Sequence, residues 1–273
     1  MVFQNARGMP KEIIGDKMTI HEFGKENNRT VVLIHPAIVM WDYFEYVIPL
    51  LKKHFHLIVP AIPGYDEDRH GDFSSVEEIA AELEGWITDN GKTNITCIFG
   101  CSMGGSIVLR LLANNRIKTE NAVIDGGITP YRLPWIVTRF IAVKDFLLIS
   151  IGKIGGIRLL EKVFETDEYS KEDHQYMARV LKMISYKTIW RTFESCNNYR
   201  VPKSIDTDCK NIEYWFTEKE RKERKKDIEF VKTYLPQTHF KVFDEIGHAG
   251  LALKKPEDFT NEIIRVCERS NEK

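Results

Sequence analysis

Cysteine is scarce in this chain and, where present, badly placed for any shared task. Of 273 residues five are cysteine. Cys97, Cys101, Cys196, Cys209 and Cys267 are odd in number and lack the short paired spacings of a metal site, so neither a disulfide framework nor a zinc module is expected. Such usage fits a reducing compartment, and the expected location is the cytoplasm. Net charge is missing as well, since 39 basic residues against 40 acidic ones leave a formal charge of -1. No global field then favours nucleic acid or an anionic surface, and a small molecule is the expected partner. The opening stretch MVFQNARGMPKEI has no apolar core of secretory-signal length. Nor is there an unbroken apolar run: PWIVTRFIAVKDFLLISIGKIGG at 134–156 is interrupted by Arg139, Lys144 and Asp145, whose charges argue against stable membrane insertion. Internal repeats, low-complexity segments, a phosphate loop and a dinucleotide fingerprint are all wanting, so no cofactor is expected. No metal is expected either, because the acidic turn PGYDEDRHGDFS at 63–74 reads as a solvated loop. Oligomeric state is left open.

What the chain does have is a series of strand-length apolar runs. They are VVLIH (31–35), HLIVPAI (56–62), ITCIFG (95–100), NAVIDG (121–126), NIEYWFT (211–217) and FKVFDEIG (240–247). Most are continuous rather than alternating, as a parallel sheet covered on both faces requires. Helical patterns separate several of them, at 74–90, 103–117, 222–235 and 256–270, with Ser74 or Ser75 ahead of Glu77 and Glu78 and Pro256 in a first turn as start signals. The alternation predicts an α/β fold with a doubly wound, mostly parallel sheet. It lapses once. From Thr129 to about Ser204 there are only helical patterns, such as HQYMARVLKMISYKTIWRTF at 174–193. The expected organisation is a core of residues 1–128 and 205–273 with a helical cap, 129–204, inserted between strands. Trp135, Phe140, Phe146, Phe164, Trp190 and Phe193 within it predict an apolar roof. Trp41, Tyr43, Phe44 and Tyr46 could line a pocket but read first as core.

The chemistry concentrates at residues 95–107, ITCIFGCSMGGSI. A strand stops at Gly100, turns, and starts a helix on Gly104 and Gly105. A nucleophile on so tight a corner needs small residues two before and two after it, and Gly100 and Gly104 bracket Ser102 in that register. Cys101 sits one residue early, so a thiol nucleophile does not fit the corner. These residues, with the strand–helix order around them, resemble the α/β-hydrolase superfamily, in particular its lid-bearing single-domain serine esterases.

The resemblance spans the chain from VVLIHP to the last helix and implies an order of nucleophile, acid and then histidine. DEIGHAGLALKKPEDF at 244–259 matches the family's Gly-His loop, which makes His248 the candidate general base for Ser102. The acid is Glu220 by position after NIEYWFT, where the family usually shows an Asp, with Asp125 behind NAVI as the alternative. Met103 is the first expected oxyanion donor. The second is Ala37, or Ile38 as the alternative, because Pro36 stands where the family has Gly and has no N–H to give. A cis bond at Pro36 is one way to hold that loop. His35 is expected near the pocket. The implied activity is hydrolysis of a small or medium, partly apolar carboxylic ester through an acyl-enzyme; the alternative is a non-catalytic member of the fold that binds a small ligand.

Overall fold

Each of the six apolar runs forms a strand, and they lie side by side because their side chains are apolar on both faces. The computed structural model describes residues 11–14, 18–92, 94–130, 133–163, 170–244 and 246–269; Phe164 of the expected roof lies outside them. The strands are β3 (Thr30–Ile34), β4 (His56–Ala61), β5 (Asn94–Cys101), β6 (Lys118–Asp125), β7 (Asn211–Thr217) and β8 (His239–Phe243), all parallel. Two more strands, β1 (Lys11–Ile14) and β2 (Met18–Phe23), precede them and pair antiparallel. Among the described residues one eight-stranded sheet results, in the order β1-β2-β4-β3-β5-β6-β7-β8.

β2 escapes a sequence reading because Thr19, His21 and Glu22 interrupt its apolar residues, yet all six of its side chains are buried. Tertiary partners make that possible. Thr19 donates to Asp66 at 2.8 Å, and Glu22 takes His56 at 2.7 Å and Lys25 at 2.6 Å. A buried polar group is tolerated once it is bonded.

Helices cover both faces. The core carries α1 (Ile48–Leu51), α2 (Val76–Asp89), α3 (Met103–Asn114), α7 (Lys225–Tyr234), α8 (Leu251–Lys254) and α9 (Pro256–Glu268). The expected start of α2 is present: Ser75 Oγ accepts the Glu78 N–H at 3.1 Å. Between β6 and β7 come α4 (Trp135–Val163), α5 (Lys171–Met183) and α6 (Tyr186–Asn198). The single helical pattern at 174–193 is thus two helices. Ile184 is extended, and Ser185 caps the second by accepting the Thr188 N–H at 2.9 Å. α4 kinks at Gly156, whose φ of 57° and ψ of -154° end one helical stretch and begin another.

Helix α6 is tied to the rest of the fold by polar links. Val76 N–H donates to Ser195 Oγ at 2.8 Å, and Tyr65 and Thr192 share a hydroxyl bond of 2.9 Å.

Candidate active site

In a parallel sheet every strand ends at the same edge, and that edge collects what the loops carry. The register sets Ile34 beside Gly100, Cys101 beside Asp125, Asp125 beside Trp215 and Thr217 beside Phe243. Ser102, Asp125, Glu220, His248 and the 35–38 loop therefore all stand at the C-terminal edge.

Ser102 links β5 to α3 with φ 51° and ψ -111°, a conformation that costs a non-glycine residue about 1–3 kcal/mol. The sheet holds it there, since its N–H donates to the Asp125 carbonyl at 2.8 Å. The flanking glycines are required by contact: a Cβ on Gly100 would sit 2.2 Å from the Gly104 carbonyl oxygen, and one on Gly104 would sit 2.3 Å from that of Ile34. Cys101 points into the core, fully buried, and burial together with the Asp125 and Glu220 carboxylates pushes its thiol well above the ordinary range. An un-ionised, inaccessible thiol is a poor nucleophile.

His248 and Glu220 meet directly, His248 Nδ1 lying 2.6 Å from Glu220 Oε1. Glu220 occupies a single helical turn that continues from β7 and is 5% exposed. Its other oxygen, Oε2, accepts the Thr217 N–H at 3.1 Å and the Thr217 hydroxyl at 3.0 Å, while Arg224 Nε lies 3.7 Å from Oε1. Burial alone would raise this carboxyl; the bond from His248, with the charges of His248 and Arg224, holds it down to about 2. It is thus an anion at neutral pH, with one oxygen for the imidazole and the other anchored to the backbone. The Thr-x-x-Glu pattern of Thr217 and Glu220 is a capping box. That short pattern is the sequence signal that separates Glu220 from the charge run 218–229.

Asp125 is close by, but it is spent differently. It is 8% exposed, and burial, then the Glu220 charge, push its carboxyl up to about 7 in spite of the opposing pull of His248 and a bond with the Cys101 thiol.

The loop after β3 is built around His35. Its Nδ1 faces the Pro36 carbonyl at 2.8 Å and its Nε2 accepts the Ile62 N–H at 3.3 Å, so the proton belongs on Nδ1. Full burial lowers this imidazole to about 4, against the raising effect of the Pro36 bond, and it stays neutral. Among the described residues no peptide is cis, so the loop is shaped without the isomer entertained for Pro36; Ile38 carries the unusual geometry instead, with φ 66°. Ala37, Ile38 and Met103 are adjacent to Ser102 in space or sequence, and Met103 opens α3, where first-turn N–H groups have no partner inside the helix.

Ser102 and His248 line one cavity of about 420 Å³ together with Pro36, Ala37, Ile38 and Tyr43 from the sheet edge. Leu148 and Ile149 of α4, Tyr176 and Met177 of α5 and Phe193 of α6 close it from above. Of the roof aromatics read from the sequence, Phe193 lines the cavity. Phe146 packs edge-on to Trp190, and Trp135 and Phe140 face solvent at 67% and 72% exposure. Tyr43, read first as core, is both buried and cavity-lining. Its hydroxyl donates to the Ala249 carbonyl at 2.7 Å and so pins the residue after His248, which has φ 57°. Nothing in the local sequence announces that bond, because it joins residues 206 apart. A wider hollow of about 610 Å³ lies at the opposite edge of the sheet, between the beginnings of β5, β6 and β7. It holds no nucleophile–base pair.

A parallel α/β sheet with serine, imidazole and carboxylate gathered at its C-terminal edge defines a class, and comparison with known proteins supplies its family. A family model described as the alpha/beta hydrolase family matches residues 31–261, and the chain belongs to that family. The 2-hydroxy-6-oxo-2,4-heptadienoate hydrolase of Pseudomonas putida is 28% identical over 119 residues, so the match spans 42% of this chain and 42% of that relative's length. An esterase from Thermogutta terrifontis superposes with a TM-score of 0.69 at 16% identity, with 93% of each chain covered. An esterase from Exiguobacterium antarcticum does so at 0.68 and 17% identity, covering 93% of this chain and 96% of the other. At these identities the structural likeness concerns the fold. Among the described residues no helix is long and apolar enough to cross a membrane.

Proposed function

We propose that the protein is a serine hydrolase that cleaves a small or medium, partly apolar carboxylic ester through an acyl-enzyme. The observation that carries this reading is the 2.6 Å contact of His248 Nδ1 with an ionised Glu220, beside Ser102 in the same cavity. Glu220 fixes the imidazole so that Nδ1 holds a proton and Nε2 accepts the Ser102 hydroxyl proton as Oγ attacks the ester carbonyl. The negative charge that develops on the carbonyl oxygen is taken by the N–H of Met103 and that of Ala37 or Ile38; one such donor is worth about 3 kcal/mol in the transition state. His248 returns its proton to the leaving alcohol, then activates water to release the acid. Residues 129–204 act as the cap that shapes the acyl pocket, over a core of 1–128 and 205–273. Five free, buried cysteines favour a reducing, cytoplasmic setting.

The test is intact mass after exposure to a fluorophosphonate. The wild type is expected to gain one adduct and Ser102→Ala none. Folded wild type that stays unlabelled would favour the non-catalytic, ligand-binding reading.

A further inference from the structure

Large apolar side chains that face water gather in one place on this molecule. Ile136, Phe140, Val143, Leu147, Ile151 and Ile154 are 41–77% exposed. They follow one another by three or four residues, which puts them on a single face of α4. The opposite face, turned into the protein, carries Thr138, Ala142 and Gly152, all buried, with Ile149 packed against the core. From Ile136 to Ile154 the stripe runs about 27 Å, and a contiguous exposed apolar patch of this kind marks an interaction surface.

We propose that this face of α4 docks the protein on a lipid bilayer that contains anionic phospholipid, with the helix lying in the plane of the interface. The charges are placed for it. Helix α4 carries five basic residues against two acidic ones, Asp145 and Glu161; Arg139 pairs with Glu194 at 2.8 Å and Lys153 donates to the carbonyls of Leu181, Lys182 and Ile184, which leaves Lys144, 3.4 Å from Asp145, with Arg158 and Lys162 on the exposed side. Lys144 is 75% exposed along the stripe, where its stem can lie on apolar surface with the ammonium in the headgroups. Amphipathic rings mark both ends, as interfacial anchors do. Trp135 is under the Arg139 guanidinium at 5.2 Å, and Tyr186 is 46% exposed with Lys153 Nζ 5.5 Å from its ring. The helix is too charged to cross a membrane, so it lies on one. A second copy of the chain is the poorer occupant, since it would set these basic side chains against their own kind. Leu148 is half exposed beside the stripe and also lines the cavity. An amphiphile in the bilayer therefore has a short apolar route to the edge of the site. The docking itself does not rest on the chemistry assigned to Ser102.

Flotation with vesicles tests this, using the full chain at about 0.1 M salt, where charge is screened beyond about 10 Å. The wild type is expected to float with vesicles of about 70:30 phosphatidylcholine and phosphatidylglycerol, and several-fold less with phosphatidylcholine alone. Phe140→Glu with Ile154→Glu, at two of the most exposed positions, should lower the bound fraction about tenfold or more without changing the circular dichroism. The wild-type comparison between the two vesicle types does not depend on how that variant folds. Folded wild type that floats with neither preparation would overturn the proposal, as would equal binding to both. A wild-type dimer in light scattering that the double variant splits into monomers would overturn it too, with a second copy as the true occupant.

Discussion

The ends of β6 and β7 are neighbours in the sheet, and each presents a buried carboxylate within electrostatic reach of His248, yet the two carboxylates are in opposite states. Glu220, after β7, receives His248, the Thr217 N–H and the Thr217 hydroxyl, and is held down to about 2. Asp125, at the end of β6, is buried to a similar extent and pushed up to about 7. Burial raises both; donors decide the difference. Once Glu220 is ionised its charge weighs on Asp125, so the site accommodates one anion easily and a second at a cost. Proximity to a histidine therefore does not make a carboxylate its partner. The direct bond does, together with whatever satisfies the remaining lone pairs.

Substitution separates the two. Glu220→Gln keeps the size and removes the charge that favours the imidazolium, and kcat is expected to fall by about 10³–10⁴. Steady-state kinetics with a short-chain ester would read this, and a larger loss in Asp125→Asn than in Glu220→Gln would transfer the acid role to β6.

Asp125→Asn should matter chiefly for stability, and in a direction set by its raised carboxyl. A group that holds its proton more tightly when folded contributes stability below its unfolded value, about 4, and loses it as pH rises through about 7. The wild type should therefore weaken relative to Asp125→Asn between pH 5 and pH 9, by on the order of 2 kcal/mol. Urea unfolding across that range measures it; parallel curves would mean that Asp125 is ionised in the folded protein without penalty. Glu220, held down to about 2, is ionised throughout that range, and His35 is common to both proteins.

The smallest effect concerns His248 rather than the two carboxylates. Tyr43→Phe removes the bond to the Ala249 carbonyl and loosens the loop that aims His248. A loss of about 1 kcal/mol, or about fivefold in kcat, is expected, with the pH profile unmoved if the hydroxyl only positions the loop.

Much of this architecture was legible in the chain. Continuous apolar runs such as VVLIH and NIEYWFT marked the parallel strands, and the Gly100-x-Ser102-x-Gly104 spacing marked the corner, because both are local requirements. Strand β2 was not legible, since its Thr19 and Glu22 are made tolerable only by Asp66, His56 and Lys25 from elsewhere. The break at Ser185 was hidden because apolar periodicity passes straight through it, while the cap bond that ends one helix and opens the next depends on one hydroxyl.

The sequence by itself thus determined the order of the six parallel strands, the corner that carries Ser102 and the presence of a late Gly-His loop, all of which follow from spacing within a few residues. Only the tertiary structure decided which carboxylate touches His248, that Tyr43 steadies the loop behind it, and that α4 turns its largest apolar side chains outward. Those outcomes rest on burial and on bonds between residues far apart in the chain.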